Sequence, residues 1–448
     1  MGQTRIEAYR TTTNWMSLPA TARPHRPSSP FSQPDSNSLF SSLRTRNFRL
    51  FATGQLFSNT GTWVQRIAQD WLVLSLTGSA TAVGVTTALQ FLPTLLFGLF
   101  GGMIADRYPK RTVLLVTQSA LGLIAGVLAA ATLAHVIAAW QVYVVAFALG
   151  LVTAVDNPTR QSFANEMVGP AQLSNAISLN SSVFQLGGLI GPAISGVLIG
   201  AVGPGYAFAI NAVSYLAPLA ALLRMRPAEL RTVEWDRDAP GQLRDGLRYA
   251  LREPRVLWPT VLAGVFGLFT ANLPVTLAAF AHSVFHSGPS GYGLLSATVA
   301  VGSVAGALIC ARLPRPRLRV LLAYGAALAT LDMVSAVAPG QLVYGFLLVP
   351  IGACTLLLLT STNSVVQTAA HDAIRGRVMG IYLLVFIGAA AIGGPLLGLV
   401  DEDLGPRSGM LLAGAVPAVA TLIVGGWLAW EHSRRAAACE ARRHPSLV

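Results

Sequence analysis

The chain has 448 residues, 53% of them hydrophobic and only 11% charged, whereas soluble domains carry about 25% charged residues. That balance, with a mean hydropathy of +0.56, excludes ordinary globular domains and leaves most of the surface facing something other than water. The net charge of +12 does not point to nucleic acid, because the basic residues fall in short clusters between long apolar runs.

In chain order, residues 1–46 are rich in Ser, Thr and Pro and lack an apolar core of signal-peptide length, which predicts a disordered tail. About twelve segments of the length that spans hydrocarbon follow: 50–75, 82–105, 112–134, 138–156, 173–201, 205–224, 255–281, 290–311, 318–338, 341–369, 378–400 and 408–430. The expected units are a first bundle at 47–226, a linker at 227–253, a second bundle at 254–434 and a tail at 435–448. All but Arg66 and Arg407 among the 31 Lys and Arg residues fall on the side shared by both termini. Short cytoplasmic loops carry the excess of Lys and Arg, so both termini are expected in the cytoplasm and the protein in the plasma membrane. Asp401-Glu402-Asp403 is read as an acidic outer loop.

The first segment holds two intramembrane charges, Arg66 and Asp70, four residues apart and therefore able to pair on one helical face. Such charges cost several kcal/mol in hydrocarbon and usually serve function. Asp70 is the candidate for a proton-exchanging group with Arg66 as its modulator, the alternative being a static ion pair. Within the linker, Leu243, Leu247 and Leu251 run beside Arg244, Arg248 and Arg252 at four-residue spacing, an amphipathic helix suited to a membrane surface or to a solvated linker. His282 and His286 stand four apart but without clustered carboxylates or cysteines, so no metal is expected. No Walker motif or nucleophile motif sits in a plausible context, and no enzymatic activity or cofactor is predicted.

Between segments 2 and 3 stands a charged hinge, Gly102-Met103-Ile104-Ala105-Asp106-Arg107-Tyr108-Pro109-Lys110-Arg111. Its spacing resembles the signature between helices 2 and 3 of the major facilitator superfamily. The Gly-Pro-x-x-x-Gly core of segment 5, around Pro192, recurs in related form around Pro395, as parallel repeats would. The stretches Gln69-Asp70-Trp71-Leu72-Val73, Asp156-Asn157-Pro158-Thr159-Arg160-Gln161, Asn175-Ala176-Ile177-Ser178 and Arg375-Gly376-Arg377-Val378-Met379-Gly380 are similar to the enterobactin exporter-like, transmembrane secretion effector branch.

The resemblance implies an all-α membrane protein of twelve transmembrane helices in two pseudo-symmetric six-helix bundles, a monomer moving small molecules across the bilayer by alternating access. It implies proton-coupled efflux of a drug- or siderophore-like compound, with metabolite uptake or a non-transporting sensor as alternatives. It assigns Gly102, Asp106, Arg107, Lys110 and Arg111 to a gate whose carboxylate meets the start of helix 11, where Arg375 and Arg377 lie. Gly187, Gly191, Pro192 and Gly196 resemble the helix-5 motif of antiporters, although such small-residue faces also serve simple packing. Helices 1, 4, 7 and 10 line the path in this fold, which makes Asn59, Gln65, Asn272, Asn363 and Gln367 candidate cavity residues.

Overall fold

A computed structural model describes residues 41–169, 172–230, 243–310, 312–313, 317–371 and 374–443. The described residues contain no strand. In hydrocarbon every backbone N–H and C=O needs an internal partner, which a helix supplies within its own segment.

The first half comprises α1 (Arg46–Thr77), α2 (Ala80–Arg107), α3 (Lys110–Leu133), α4 (Ala139–Val168), α5 (Leu173–Val202) and a sixth span made of α6 (Pro204–Ser214) and α7 (Leu216–Arg224). A short helix, α8 (Leu243–Arg252), leads to the second half. There α9 (Pro254–Thr270) and α10 (Leu273–Ala279) form one broken span, followed by α11 (Gly288–Cys310), α12 (Leu318–Ala336), α13 (Gln341–Ala369), α14 (Arg375–Asp403) and α15 (Pro406–Arg443).

Eleven helices among the described residues are long and apolar enough to cross a membrane. The first expected segment, in α1, falls outside that set although its helix runs 32 residues. It carries Asn47, Gln55, Ser58, Asn59, Gln65, Gln69 and Asp70 buried against neighbouring helices. Its polarity is directed inward, which lowers its hydropathy without exposing polar groups to lipid.

Asn47 at the start of α1 bonds Arg226 just beyond α7, and Trp258 near the start of α9 lies 5.4 Å from Trp427 of α15. These ends define a terminal face. The α1–α2 turn belongs to the opposite, distal face, where Gly78 takes φ 68° as the α1 C-cap and the Ser79 hydroxyl accepts from Ala82 N–H at 3.2 Å.

The halves meet along two antiparallel seams, α2 against α14 and α5 against α11. Small residues make the approach possible. A Cβ on Gly196 would sit 2.8 Å from Cα of Gly293, and one on Gly398 would sit 2.6 Å from Cα of Thr81. Gly84 and Gly394 meet backbone to backbone in the same way. Beyond them, Glu402 on α14 accepts from Ser79 Oγ at 2.5 Å and from Thr81 N–H at 3.2 Å. All these contacts lie toward the distal face, so the molecule is closed there.

Several boundaries depart from the sequence reading. Residues Ser41–Arg44 form a 3-10 turn in which Ser42 bonds Asn175 on α5, so ordered structure begins within the expected tail. At the other end α15 runs on to Arg443; residues 1–40 and 444–448 lie outside the described residues. The expected end of segment 4 at 156 is overturned, because α4 continues through Pro158 to Val168 and carries Asp156 and Arg160 within the helix. Asp401-Glu402-Asp403 is the last turn of α14, not a loop, and Asp401 is buried. Segment 7 breaks after Thr270, where Pro274 lacks the N–H that the Thr270 carbonyl would take. In α8 the packed face is Tyr249 and Ala250, with Tyr249 Oη donating to the Ala369 carbonyl at 3.1 Å. Leu247 and Leu251 remain exposed, while the side chains at 243–246 lie outside the described residues.

Candidate functional site

A cavity of about 140 Å3 opens between α1, α2, α3, α4 and α6 and reaches Ile387 of α14. Helical spacing puts Thr62, Gln65, Arg66 and Gln69 of α1 on one face of it. Gln90 and Thr94 of α2, Thr153 and Asn157 of α4, and Asn211 of α6 complete the polar lining, against apolar walls that include Phe91, Leu121 and Leu149. No acidic residue is among the lining. Gln65 accepts from Asn211 Nδ2 at 2.6 Å, and Thr62 and Tyr215 share a hydrogen bond of 3.2 Å. Arg66 has its guanidinium 5.3 Å from the centroid of the Trp63 ring. Gln69 is 1% exposed, and both its amide atoms lack a partner among the described residues.

The expected Arg66–Asp70 ion pair is not formed. Asp70 Oδ2 instead accepts from Tyr292 Oη on α11 at 2.9 Å, a buried bond between the two halves. Trp71 stacks on Tyr292 at 6.3 Å and meets His282 edge-on at 6.2 Å, which fixes the tyrosine. Spacing along α1 allowed the Arg66 pairing, but the neighbouring half supplies a better-placed donor.

A second charged centre lies within the first half. Asp156, fully buried, accepts from Thr117 Oγ1 at 2.6 Å and from Gln118 Nε2 at 2.9 Å, and it pairs with the Arg160 guanidinium one turn along α4. Arg160 Nη1 also reaches Asn59 Oδ1 at 3.4 Å. Asn59, a candidate cavity residue, is therefore drawn toward this cluster. A buried pair is tolerated only when its remaining donors and acceptors are met, and Thr117 and Gln118 meet them at the carboxylate.

The charged hinge divides its residues between two tasks. Lys110 is buried and bonds Glu166 at the end of α4 at 2.6 Å. Arg111 donates to the Leu222 carbonyl at 2.8 Å, a cation on the C-terminal carbonyls of α7. Both tie the first half to itself. Asp106 and Arg107 are exposed, a Cβ on Gly102 would meet nothing, and Asp106 makes no ion pair among the described residues. Arg375 is exposed, with Nε donating to the Gln367 carbonyl at 3.1 Å, and Arg377 is half-buried. Asp106 and these arginines are not in contact in this conformation.

The helix-5 motif serves both neighbours of α5. A Cβ on Gly187 would come within 3.2 Å of Asn59 on α1, Gly191 faces Trp63, and Gly196 meets Gly293 of α11. Next to Pro192 in the same helix, Ser195 Oγ donates to the Val64 carbonyl at 2.9 Å. Asn272 is fully buried and donates to the Leu268 and Ala390 carbonyls at 2.9 Å each, so it ties α14 to the break in segment 7. Asn363 accepts from Gln367 Nε2 at 2.9 Å. None of these three lines the cavity; Gln65 and Arg66 do. His286 Nδ1 bonds the His282 carbonyl at 3.0 Å.

Tyr292, Gln90, Asn211 and Glu166 were not singled out by the sequence, and Gln69 and Asn157 appeared there only within family-like stretches, not as cavity residues. Gln69, Gln90 and Asn211 carried the same signal as Gln65, a polar amide in an apolar run. Tyr292 and Glu166 carried none, since their importance lies in the residue they meet.

The family model described as transmembrane secretion effector matches residues 37–444. The multidrug efflux pump Tap of Mycobacterium tuberculosis is 27% identical over 399 residues, 84% of this chain and 91% of that protein. The enterobactin exporter EntS of Citrobacter koseri is 25% identical, covering 77% of this chain and 80% of that protein. The staphyloferrin A transporter of Staphylococcus aureus is 24% identical over 56% of this chain, a match spanning 63% of that relative's length. Among solved structures, a bacterial homologue of the lysosomal transporter Spinster superposes with a TM-score of 0.67 at 12% identity, covering 85% of this chain and 97% of that one. A bacterial homologue of the iron transporter ferroportin gives 0.65 at 15% identity, covering 85% and 98%. These two establish likeness of fold.

Proposed function

The chain belongs to the transmembrane secretion effector family of the major facilitator superfamily, and on that premise we propose that it exports small organic compounds by alternating access, driven by protons. The family and these relatives are transporters and not enzymes. The relatives that match most of their own length are a multidrug pump and a siderophore exporter, which favours efflux over uptake. The clusters of Lys and Arg on the terminal face support a cytoplasmic placement of that face in this reading, with the protein acting as a monomer in the plasma membrane.

The observation that carries this reading is the Asp70–Tyr292 bond. It links a titratable group to the closure of the distal face, one helical turn from the polar cavity. In this conformation the distal side, the outer one in this reading, is shut by the α2–α14 and α5–α11 contacts. The antiparallel seam of α2 and α14 offers one carboxylate at each end. Glu402, at the C-terminal end of α14, sits on the N-terminus of α2, where a helix favours an anion. Asp106, at the C-terminal end of α2, faces the opposite task at the N-terminus of α14 beside Arg375. Each closes one side, and the two contacts alternate as the halves rock.

Reconstitution into vesicles with an imposed pH gradient tests the reading. Accumulation of a fluorescent drug that collapses with the gradient supports proton-driven export. A protein that moves no compound of a drug and siderophore panel at any gradient is a sensor or partner and not a pump.

A further inference from the structure

The cavity contains a cation that makes no direct ion pair among the described residues, its nearby opposite charge being Asp70 one turn along α1. Arg66 forms no hydrogen bond or ion pair among the described residues, its one contact of note being the Trp63 face. A guanidinium stacked on an aromatic ring keeps its planar edge of N–H donors free for a ligand, and that edge matches a carboxylate in two-point geometry. The nearest acidic group on its helix, Asp70, is engaged by Tyr292, and no acidic residue lines the cavity. Beside Arg66, Gln69 is 1% exposed with both amide atoms unpartnered, a condition that a buried polar group holds only at a cost unless something completes it.

We propose that Arg66 and Gln69 form the subsite for the anionic head group of the cargo, a carboxylate on a small aromatic ring that bears a neighbouring hydroxyl. The guanidinium takes the carboxylate, Gln69 pairs with the hydroxyl, and Phe91, in the apolar part of the lining, accepts the ring. A volume of about 140 Å3 is below the 300 Å3 or more of a pocket for a whole drug-sized ligand, so this subsite holds one end of the molecule. The inference rests on the export reading, because it names the chemistry of what is exported.

The probes are salicylate and its neutral isostere salicylamide, measured by equilibrium dialysis against the full-length protein in lipid nanodiscs. Saturable salicylate binding, at least tenfold tighter than salicylamide, is expected. Arg66→Gln abolishes that preference, Arg66→Lys keeps part of it, and Gln69→Leu weakens salicylate several-fold while the preference for charge persists. Equal binding of the two probes by the unaltered protein, absence of saturable salicylate binding, or a preference that survives Arg66→Gln overturns the proposal. The unaltered protein alone decides the first two outcomes, so a misfolded variant does not rescue the idea. Efflux of a cationic dye under a pH gradient is followed in parallel. Dye efflux without salicylate preference sinks the subsite and leaves the export reading standing, and salicylate binding without any efflux does the reverse.

Discussion

Asp156→Ala is the substitution whose cost the structure defines most closely. The carboxylate is fully buried and receives Thr117 Oγ1 at 2.6 Å, Gln118 Nε2 at 2.9 Å and the Arg160 guanidinium. Removing it leaves Arg160, whose side chain is only 17% exposed, as an uncompensated charge, a loss of about 3–5 kcal/mol in buried pairs. The two neutral donors add about 0.6 kcal/mol each, the typical worth of a hydrogen bond inside a membrane bundle. The expected destabilisation is about 5 kcal/mol, read from unfolding in mixed micelles titrated with dodecyl sulfate. Asp156→Asn keeps an acceptor and should lose less. Asp156→Ala combined with Arg160→Leu should recover about 2 kcal/mol relative to the sum of the single changes, because the second change removes the stranded charge. A single-variant loss under about 1 kcal/mol, or strict additivity in the double variant, would refute the view of this cluster as a mutually dependent buried pair.

Three further outcomes follow from the seams and gates. Glu402→Ala should loosen the distal closure by about 1 kcal/mol, the upper worth of an exposed anion at a helix N-terminus. Spin-label distances across α2 and α14 on that face should then show a roughly fivefold gain in the open population; an unchanged distribution removes the latch. Gly196→Leu forces a side chain against the Gly293 backbone, 2.8 Å from where its Cβ would lie. It should part α5 from α11 at a cost of about 1–3 kcal/mol, read as stalled transport with intact expression, whereas normal transport would show that the close approach is dispensable. Asp70→Asn keeps a group that can accept from Tyr292 but cannot exchange a proton. Efflux in vesicles should lose its dependence on the pH gradient, and a retained dependence assigns coupling elsewhere.

The apolar segments were legible one by one because a run that can bury its backbone in hydrocarbon announces itself in composition alone. Where that reading slipped, charge was the cause. Arg160 and Asp401-Glu402-Asp403 looked like loop residues, yet the first is held inside α4 by Asp156 and the others end α14 against α2. α1 was legible as the first span yet is the least apolar of them, because its amides and Asp70 point into the protein.

Hydrophobicity fixes that a segment becomes a helix of a given length, and local spacing fixes which residues share its face. It does not fix the helix's rotation or its neighbours, which backbone-to-backbone packing at Gly84, Gly196 and Gly293 settles only when the halves assemble. For that reason the twelve spans and the charged hinge at Gly102–Arg111 belong to the sequence. The choice of Tyr292, 222 residues away, over Arg66 as the partner of Asp70, and with it the free guanidinium in the cavity, belongs to the tertiary structure.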